Sequence, residues 1–194
     1  MRIIGGSLRG RRFEPPAKNW PTRPTTDLAR EALFNILENE FDFEKLRALD
    51  LFSGTGSHAY EFVSRGCEDV TCIDSHGPCV SFIEKVAETL NVSDNIHALR
   101  ADVLRYLQTY SGAPFGYVFA DPPYDHETAM REVPKLVLSH PTLLKPGGWL
   151  VLEHSQKHRY DEQEFFLKKK QYGQTCFSIF EKPGLEEEAD ETAS

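Results

Sequence analysis

No stretch of this 194-residue chain is apolar for the roughly 20 residues that a membrane span needs. The opening Met1-Arg2-Ile3-Ile4-Gly5-Gly6 lacks the long apolar region of a secretory signal, so a soluble, cytoplasmic protein without a membrane partner is expected. Cysteine is sparse and forms no CxxC pair: Cys67, Cys72, Cys79 and Cys176 stand apart, three of them in or beside apolar stretches. They read as small buried hydrophobes in a reducing compartment. The histidines show no metal-ligand spacing, so no metal is expected and they read as surface or packing residues. No internal repeat appears, nor a second block of strands and helices, which leaves one core with appendages.

A global excess of base is also missing, since the formal charge is −8. The charges are segregated, however. Before Glu31 stand Arg2, Arg9, Arg11, Arg12, Lys18, Arg23 and Arg30 against only Glu14 and Asp27. The far end holds Glu186, Glu187, Glu188, Asp190 and Glu191 with no base among them, and removing these acids takes the charge from −8 to −3. Residues 184–194 therefore read as a disordered acidic tail. The partner signal lies in the basic arm.

That arm, RIIGGSLRGRRF over residues 2–13, places apolar residues around Gly5-Gly6 and suggests a β-hairpin with a basic face. Pro15, Pro16, Pro21 and Pro24 make an extended connector. Thr25-Thr26-Asp27 then offer caps for a helix whose apolar positions are Leu28, Ala32, Leu33, Ile36 and Leu37. From Leu46 strands alternate with helices, the pattern of a parallel sheet covered on both faces. Strands are expected at 46–52, 70–74, 96–100, 117–120 and 149–152, with a turn at Lys145-Pro146-Gly147-Gly148 before the last. A closing antiparallel hairpin is expected from 165–172 and 175–180. Pro134 should kink or divide the helix from Glu127 to Ser139. The expected fold is α/β: a doubly wound, mostly parallel seven-stranded sheet, Rossmann-like, with an N-terminal β-hairpin and helix extension. Its division is 1–45, 46–183 and the tail.

Two stretches carry chemistry. Asp50-Leu51-Phe52-Ser53-Gly54-Thr55-Gly56-Ser57 is a glycine-rich turn between strand and helix, where missing side chains let backbone approach a ligand. Asp74 closes the next strand, where an acid can accept from ribose hydroxyls, and Asp102 closes the third. Strand-end acids also cap helices, a use that stays open for Asp102. An acid at Asp50 would repel a pyrophosphate but attract the α-ammonium of S-adenosyl-L-methionine, so the latter is the favoured cofactor. The second stretch is Asp121-Pro122-Pro123-Tyr124, directly after the apolar run Tyr117 to Ala120. The prolines forbid ladder pairing and helix, so the tetrapeptide is a loop at a strand's carboxyl end, where open α/β sheets bind ligands. An acid, fixed carbonyls and an aromatic face suit a planar heterocycle with an amino group, although a solvated turn would look the same.

With RIIGGSLRGRRF, TRPTTDLAREALFNIL, DLFSGTGS, SRG, RADVLRYL, ADPPY and QYGQTCFSIF in place, the chain resembles class I adenosylmethionine-dependent methyltransferases, and more narrowly the RsmD family of 16S rRNA guanine-N2 methyltransferases. The resemblance covers nearly everything but the tail. It implies that Asp50, Phe52, Gly54, Gly56, Asp74, Asp102 and Val103 bind the cofactor and that Asp121, Pro122, Pro123 and Tyr124 are catalytic. It also implies that Arg9, Arg11, Arg12 and Arg23 meet RNA, with 16S rRNA in a small-subunit particle as partner of a monomer. The family's later glycine is replaced by Ala59, after Ser57-His58, and Ser75-His76-Gly77 follows the second strand. The tetrapeptide serves guanine N2 and adenine N6 alike, so adenine-N6 transfer to RNA or DNA is the alternative. A noncatalytic RNA-binding module retaining the cofactor fold is another. No separate DNA-target-recognition domain is evident.

Reversing the charges of Arg9, Arg11 and Arg12 should weaken RNA binding and lower the salt slope by about one unit for each phosphate no longer neutralised, measured by filter binding over a salt series. An unchanged slope would remove them from the interface.

Overall fold

The computed structural model describes residues 1–15 and 25–184. Lys18, Arg23 and the acids from Glu186 onward lie outside the described residues. The elements are α1 (Asp27–Glu40), β1 (Arg47–Leu51), α2 (Ser57–Ser64), β2 (Asp69–Asp74), α3 (Gly77–Leu90), β3 (Ile96–Arg100), α4 (Val103–Thr109), β4 (Phe115–Ala120), α5 (Glu127–Ser139), β5 (Leu144–Ser155), β6 (Phe166–Tyr172) and β7 (Thr175–Glu181). They form the anticipated seven-stranded sheet in the order β3-β2-β1-β4-β5-β7-β6. Pairings β1–β2, β2–β3 and β4–β5 are parallel, while β5–β7 and β6–β7 are antiparallel. Two compact units divide the chain, Met1–Val103 and Leu104–Ser194.

In the first unit, Thr26 caps α1 by accepting from the Ala29 N–H at 3.3 Å. The buried face of α1 is not the stripe its apolar spacing suggests. Ala29, Arg30, Leu33, Phe34 and Leu37 are buried, whereas Leu28 is 71% exposed. Arg30, only 1% exposed, accounts for the rotation. Its Nη2 donates to the Arg2 carbonyl at 2.7 Å and to Asp27 at 2.8 Å, and its Nε lies 3.4 Å from Glu61 Oε1.

Glu61 on α2 is fully buried and collects the surroundings. It accepts from the Ile4 N–H at 2.6 Å and the Gly5 N–H at 3.3 Å, and it pairs with Arg65. Arg65 in turn reaches Glu38 of α1 at 2.7 Å and lies over the Phe34 ring. The next turn of α2 grips the same arm: the Ser7 N–H donates to the Ser64 carbonyl at 2.6 Å, and the Leu8 N–H to Ser64 Oγ at 2.9 Å. Gly6, at φ 72°, runs so close to the Ser64 carbonyl that a Cβ there would collide with backbone. The expected N-terminal hairpin is correspondingly slight: a single antiparallel bridge, Arg2–Arg12, flanked by Ile3 N–H to the Arg11 carbonyl at 3.0 Å and Phe13 N–H to the Met1 carbonyl at 3.2 Å. Gly10 N–H to the Ile3 carbonyl and the Met1 amino group to the Phe13 carbonyl, both at 2.9 Å, complete its base, and its tip is pinned to α2.

In the second unit Pro134 neither ends nor divides α5. A proline lacks the N–H that would bond to the carbonyl four residues earlier, here Met130. The buried Tyr160 hydroxyl donates to that carbonyl at 3.0 Å and satisfies it. Lys145-Pro146-Gly147-Gly148, expected as a turn, lies within β5 as an irregularity. The register passes from Phe115↔Leu144 to Tyr117↔Trp149, and the Gly147 N–H donates to the Lys182 carbonyl at 2.7 Å. A bulge of this kind tolerates proline inside a strand. No helix among the described residues is long and apolar enough to cross a membrane.

Removing the Glu61 carboxylate leaves two mostly buried guanidinium groups and two backbone donors without it. Breaking a buried ion pair from one side costs about 3–5 kcal/mol. Glu61→Ala should therefore lose about that much in urea unfolding, and a loss below about 1 kcal/mol would show that the arm and α1 hold without it.

Candidate active site

Carboxyl ends of three parallel strands assemble the first unit's polar rim. Asp50 lies in β1 opposite Cys72, Asp74 ends β2 opposite Arg100, and Asp102 follows β3. After β1 the chain turns through Phe52 at φ 59°, Gly54 at φ 53° and Gly56 at φ 75°. Left-handed backbone at the non-glycine Phe52 is a strained conformation of the kind that gathers at ligand sites. At Gly56 a Cβ would meet Ile83 and the Tyr60 hydroxyl at 2.8 and 2.9 Å, so glycine is also required by packing.

Asp74 braces the turn by accepting from the Gly54 N–H and the His76 N–H, both at 2.8 Å. Each carboxylate oxygen keeps a further lone-pair direction, so the acid can also accept from ribose hydroxyls. Asp50 is different. It is 3% exposed, and its Oδ2 has no hydrogen-bond partner among the described residues. Burial foremost, then the charge of Asp74, push its carboxyl well above the ordinary aspartate range, against the lowering effect of the Ala59 backbone N–H. A buried carboxylate oxygen beside a glycine turn, with no protein donor, fits a cationic ligand group. The α-ammonium of adenosylmethionine is such a group. Asp102 is exposed and Val103 is 2% exposed, packed at the start of α4.

The second unit holds Asp121-Pro122-Pro123-Tyr124 immediately after β4, as anticipated. Pro122 is buried, Pro123 exposed, and Asp121 and Tyr124 half-buried. The Pro123 carbonyl accepts the His126 N–H at 2.8 Å, and His126 Nδ1 accepts the Ala129 N–H at 3.2 Å as the cap of α5. The loop is thus held from its far side by the helix it enters. Tyr124 donates from its hydroxyl to Glu153 Oε1 at 3.2 Å. Burial, then the charges of Glu153 and Asp121, raise its phenol strongly.

Glu153, Glu61 and Tyr60 were not among the residues singled out from the sequence. Glu153 had a usable signal, an acid directly after the apolar run Trp149 to Leu152, which is the signature that marked Asp50, Asp74 and Asp121. Glu61 and Tyr60, inside a helix, had none. Arg9, Arg11 and Arg12 are exposed on the pinned arm. Among the described residues no cluster of His, Cys, Asp or Glu could hold a metal ion.

Residues 1–181 match the family model described as Conserved hypothetical protein 95. YlbH of Bacillus subtilis (strain 168) is 32% identical over 189 residues, 95% of this chain and 100% of its own length. Ribosomal RNA small subunit methyltransferase D of Buchnera aphidicola subsp. Baizongia pistaciae is 34% identical over 153 residues, 79% of this chain and 75% of its own. Among solved structures, yhhF from Escherichia coli superposes with a TM-score of 0.80 at 27% identity, covering 95% of this chain and 98% of that one. The RNA methyltransferase from Salinibacter ruber in complex with S-adenosyl-L-homocysteine, at 13% identity and TM-score 0.65 over 83% of this chain and 94% of its own, shares the fold. The fold and the named relatives together define a Rossmann-like, S-adenosyl-L-methionine-dependent methyltransferase. Within that class the chain belongs to the Conserved hypothetical protein 95 family, the RsmD family.

A raised folded pKa means that Asp50 stabilises the ligand-free fold fully below its unfolded value near 3.8, and that this contribution is lost as pH rises toward the folded value. Asp50→Asn should therefore flatten the decline of ligand-free thermal stability between acid and neutral pH. It should also weaken adenosylmethionine binding about 10- to 100-fold in calorimetry, the worth of a charged hydrogen bond. Unchanged affinity would remove Asp50 from the cofactor site.

Proposed function

We propose that this enzyme methylates the exocyclic N2 amine of a guanine in 16S rRNA, acting as a monomer on a small-subunit particle in the cytoplasm. The observation that carries the reading is the Asp121-Pro122-Pro123-Tyr124 loop at the end of β4, in a chain 34% identical to a protein named ribosomal RNA small subunit methyltransferase D.

Asp50, Phe52, Gly54, Gly56, Asp74, Asp102 and Val103 hold the cofactor. Asp50 binds its ammonium, Asp74 its ribose, and Asp102 with the Val103 backbone its adenine. Bound adenosylmethionine supplies a methyl group made electrophilic by the sulfonium. The protein's task is to make a poor nucleophile reactive, because the amine lone pair is delocalised into the base. Asp121 and the Pro122 carbonyl accept the two amino hydrogens, which favours a pyramidal nitrogen and directs its lone pair outward. Asp121 then holds the proton released on transfer. The prolines fix the carbonyl direction, so little reorganisation remains. Tyr124 stacks on the extruded base, worth roughly 1–3 kcal/mol in comparable sites. The exposed Arg9, Arg11 and Arg12, with Arg23, lie along phosphates.

The test is incubation with labelled cofactor and small-subunit particles, followed by digestion and nucleoside identification. N2-methylguanosine is expected from the wild type. Asp121→Ala should abolish transfer while leaving cofactor binding intact. Methyladenosine would overturn the choice of base.

A further inference from the structure

Tyr124 is tied down by a residue that lies well outside the catalytic loop. Its hydroxyl donates to Glu153 Oε1 at 3.2 Å. Glu153 lies in β5, where it pairs with Phe177 of the antiparallel neighbour β7. Glu153 is 2% exposed, whereas Tyr124 is half-buried. The ring therefore has a fixed, desolvated end at its oxygen and a more accessible remainder.

The strand that carries Glu153 is itself bonded on both sides of the next residue. The next residue, His154, is fully buried, and burial foremost lowers its imidazole below the ordinary range. In the neutral ring Nδ1–H donates to the Ser155 carbonyl at 2.8 Å, because a carbonyl can only accept, and Nε2 accepts from Ser178 Oγ at 2.8 Å. His154 also packs edge-on to Tyr160, the residue that satisfies the α5 carbonyl freed by Pro134.

We propose that Glu153 is a positioning residue that, through the Tyr124 hydroxyl, fixes the plane of the ring on which the target base stacks. The assignment rests on the reading of Tyr124 as the stacking residue. The hydrogen bond at the phenol oxygen restrains the tilt and swing of the ring while leaving its faces available. A rotation of the ring by half a turn about its own axis returns the same plane, so the restraint costs no usable orientation. Glu153 touches no reacting atom in this role.

Kinetics on small-subunit particles with Glu153→Gln, Tyr124→Phe and the double variant test it. Tyr124→Phe, which removes the bond, should raise KM for RNA about tenfold, the worth of one hydrogen bond; Glu153→Gln, which keeps an acceptor oxygen and only weakens the bond, should raise it less, and both should leave KM for the cofactor unchanged. The double variant should be no worse than Tyr124→Phe, which has already lost the bond. Additive losses, or an unchanged KM in Tyr124→Phe, would overturn the proposal, and the latter does so even if Glu153→Gln folds poorly. A readout independent of turnover is the Cζ resonance of Tyr124 in tyrosine-labelled protein, assigned by its disappearance in Tyr124→Phe. Glu153→Gln should move it, and an unmoved resonance refutes the anchoring. Wild-type protein inactive on rRNA would refute the proposed function while this resonance still decides the contact.

Discussion

The Glu61 carboxylate is the constraint on which the first unit is built. One buried side chain neutralises Arg65 on its own helix, attracts Arg30 from α1 and caps two backbone N–H groups of the N-terminal arm. Five residues earlier Gly56, in the glycine turn, caps the start of the same helix. The element that follows the glycine turn therefore also carries the arm that displays Arg9, Arg11 and Arg12. A buried charge cluster of this kind gains little over a well-packed apolar one in stability, and its value lies in fixing one arrangement of three chain segments.

Three buried carboxylates illustrate three outcomes of the same desolvation cost. Glu61 is surrounded by donors from other segments and is structural. Glu153 receives the Tyr124 hydroxyl, the contact on which its proposed positioning role rests. Asp50 keeps an oxygen that nothing in the protein satisfies among the described residues, and its raised pKa shows that the fold bears the cost. A group held at such expense is explained by a ligand that relieves it.

Much of this was legible in the sequence because it is local. The alternation of apolar runs with glycine turns located the strands from Leu46 onward, and acids at strand ends located Asp50, Asp74 and Asp121. What escaped depends on partners far along the chain. The burial of Arg30 rotates α1 away from its apolar stripe, and its Glu61 partner is thirty-one positions on. The hairpin expected of residues 2–13 is present at its base, where Met1 bonds to Phe13 and Ile3 to Gly10 and Arg11, while Ser64 and Glu61 hold its tip in a way the local sequence does not announce. Pro134 leaves α5 undivided because a tyrosine twenty-six positions later satisfies the vacated carbonyl. The Lys145–Gly148 segment has turn chemistry but is absorbed as a strand irregularity.

All four thiols are free and buried, and burial foremost raises those of Cys67, to about 11, Cys72 and Cys176. The thiolate is the nucleophile in alkylation, so Cys67, Cys72 and Cys176 are doubly silent in the closed fold, by access and by ionisation, and Cys79 is silent by access. Their labelling rates then time local opening. Cys67 in the loop after α2, Cys72 in β2 and Cys79 in α3 report on the first unit, and Cys176 in β7 on the second. The native protein thus carries clocks for the separate breathing of each unit, with no engineered probe.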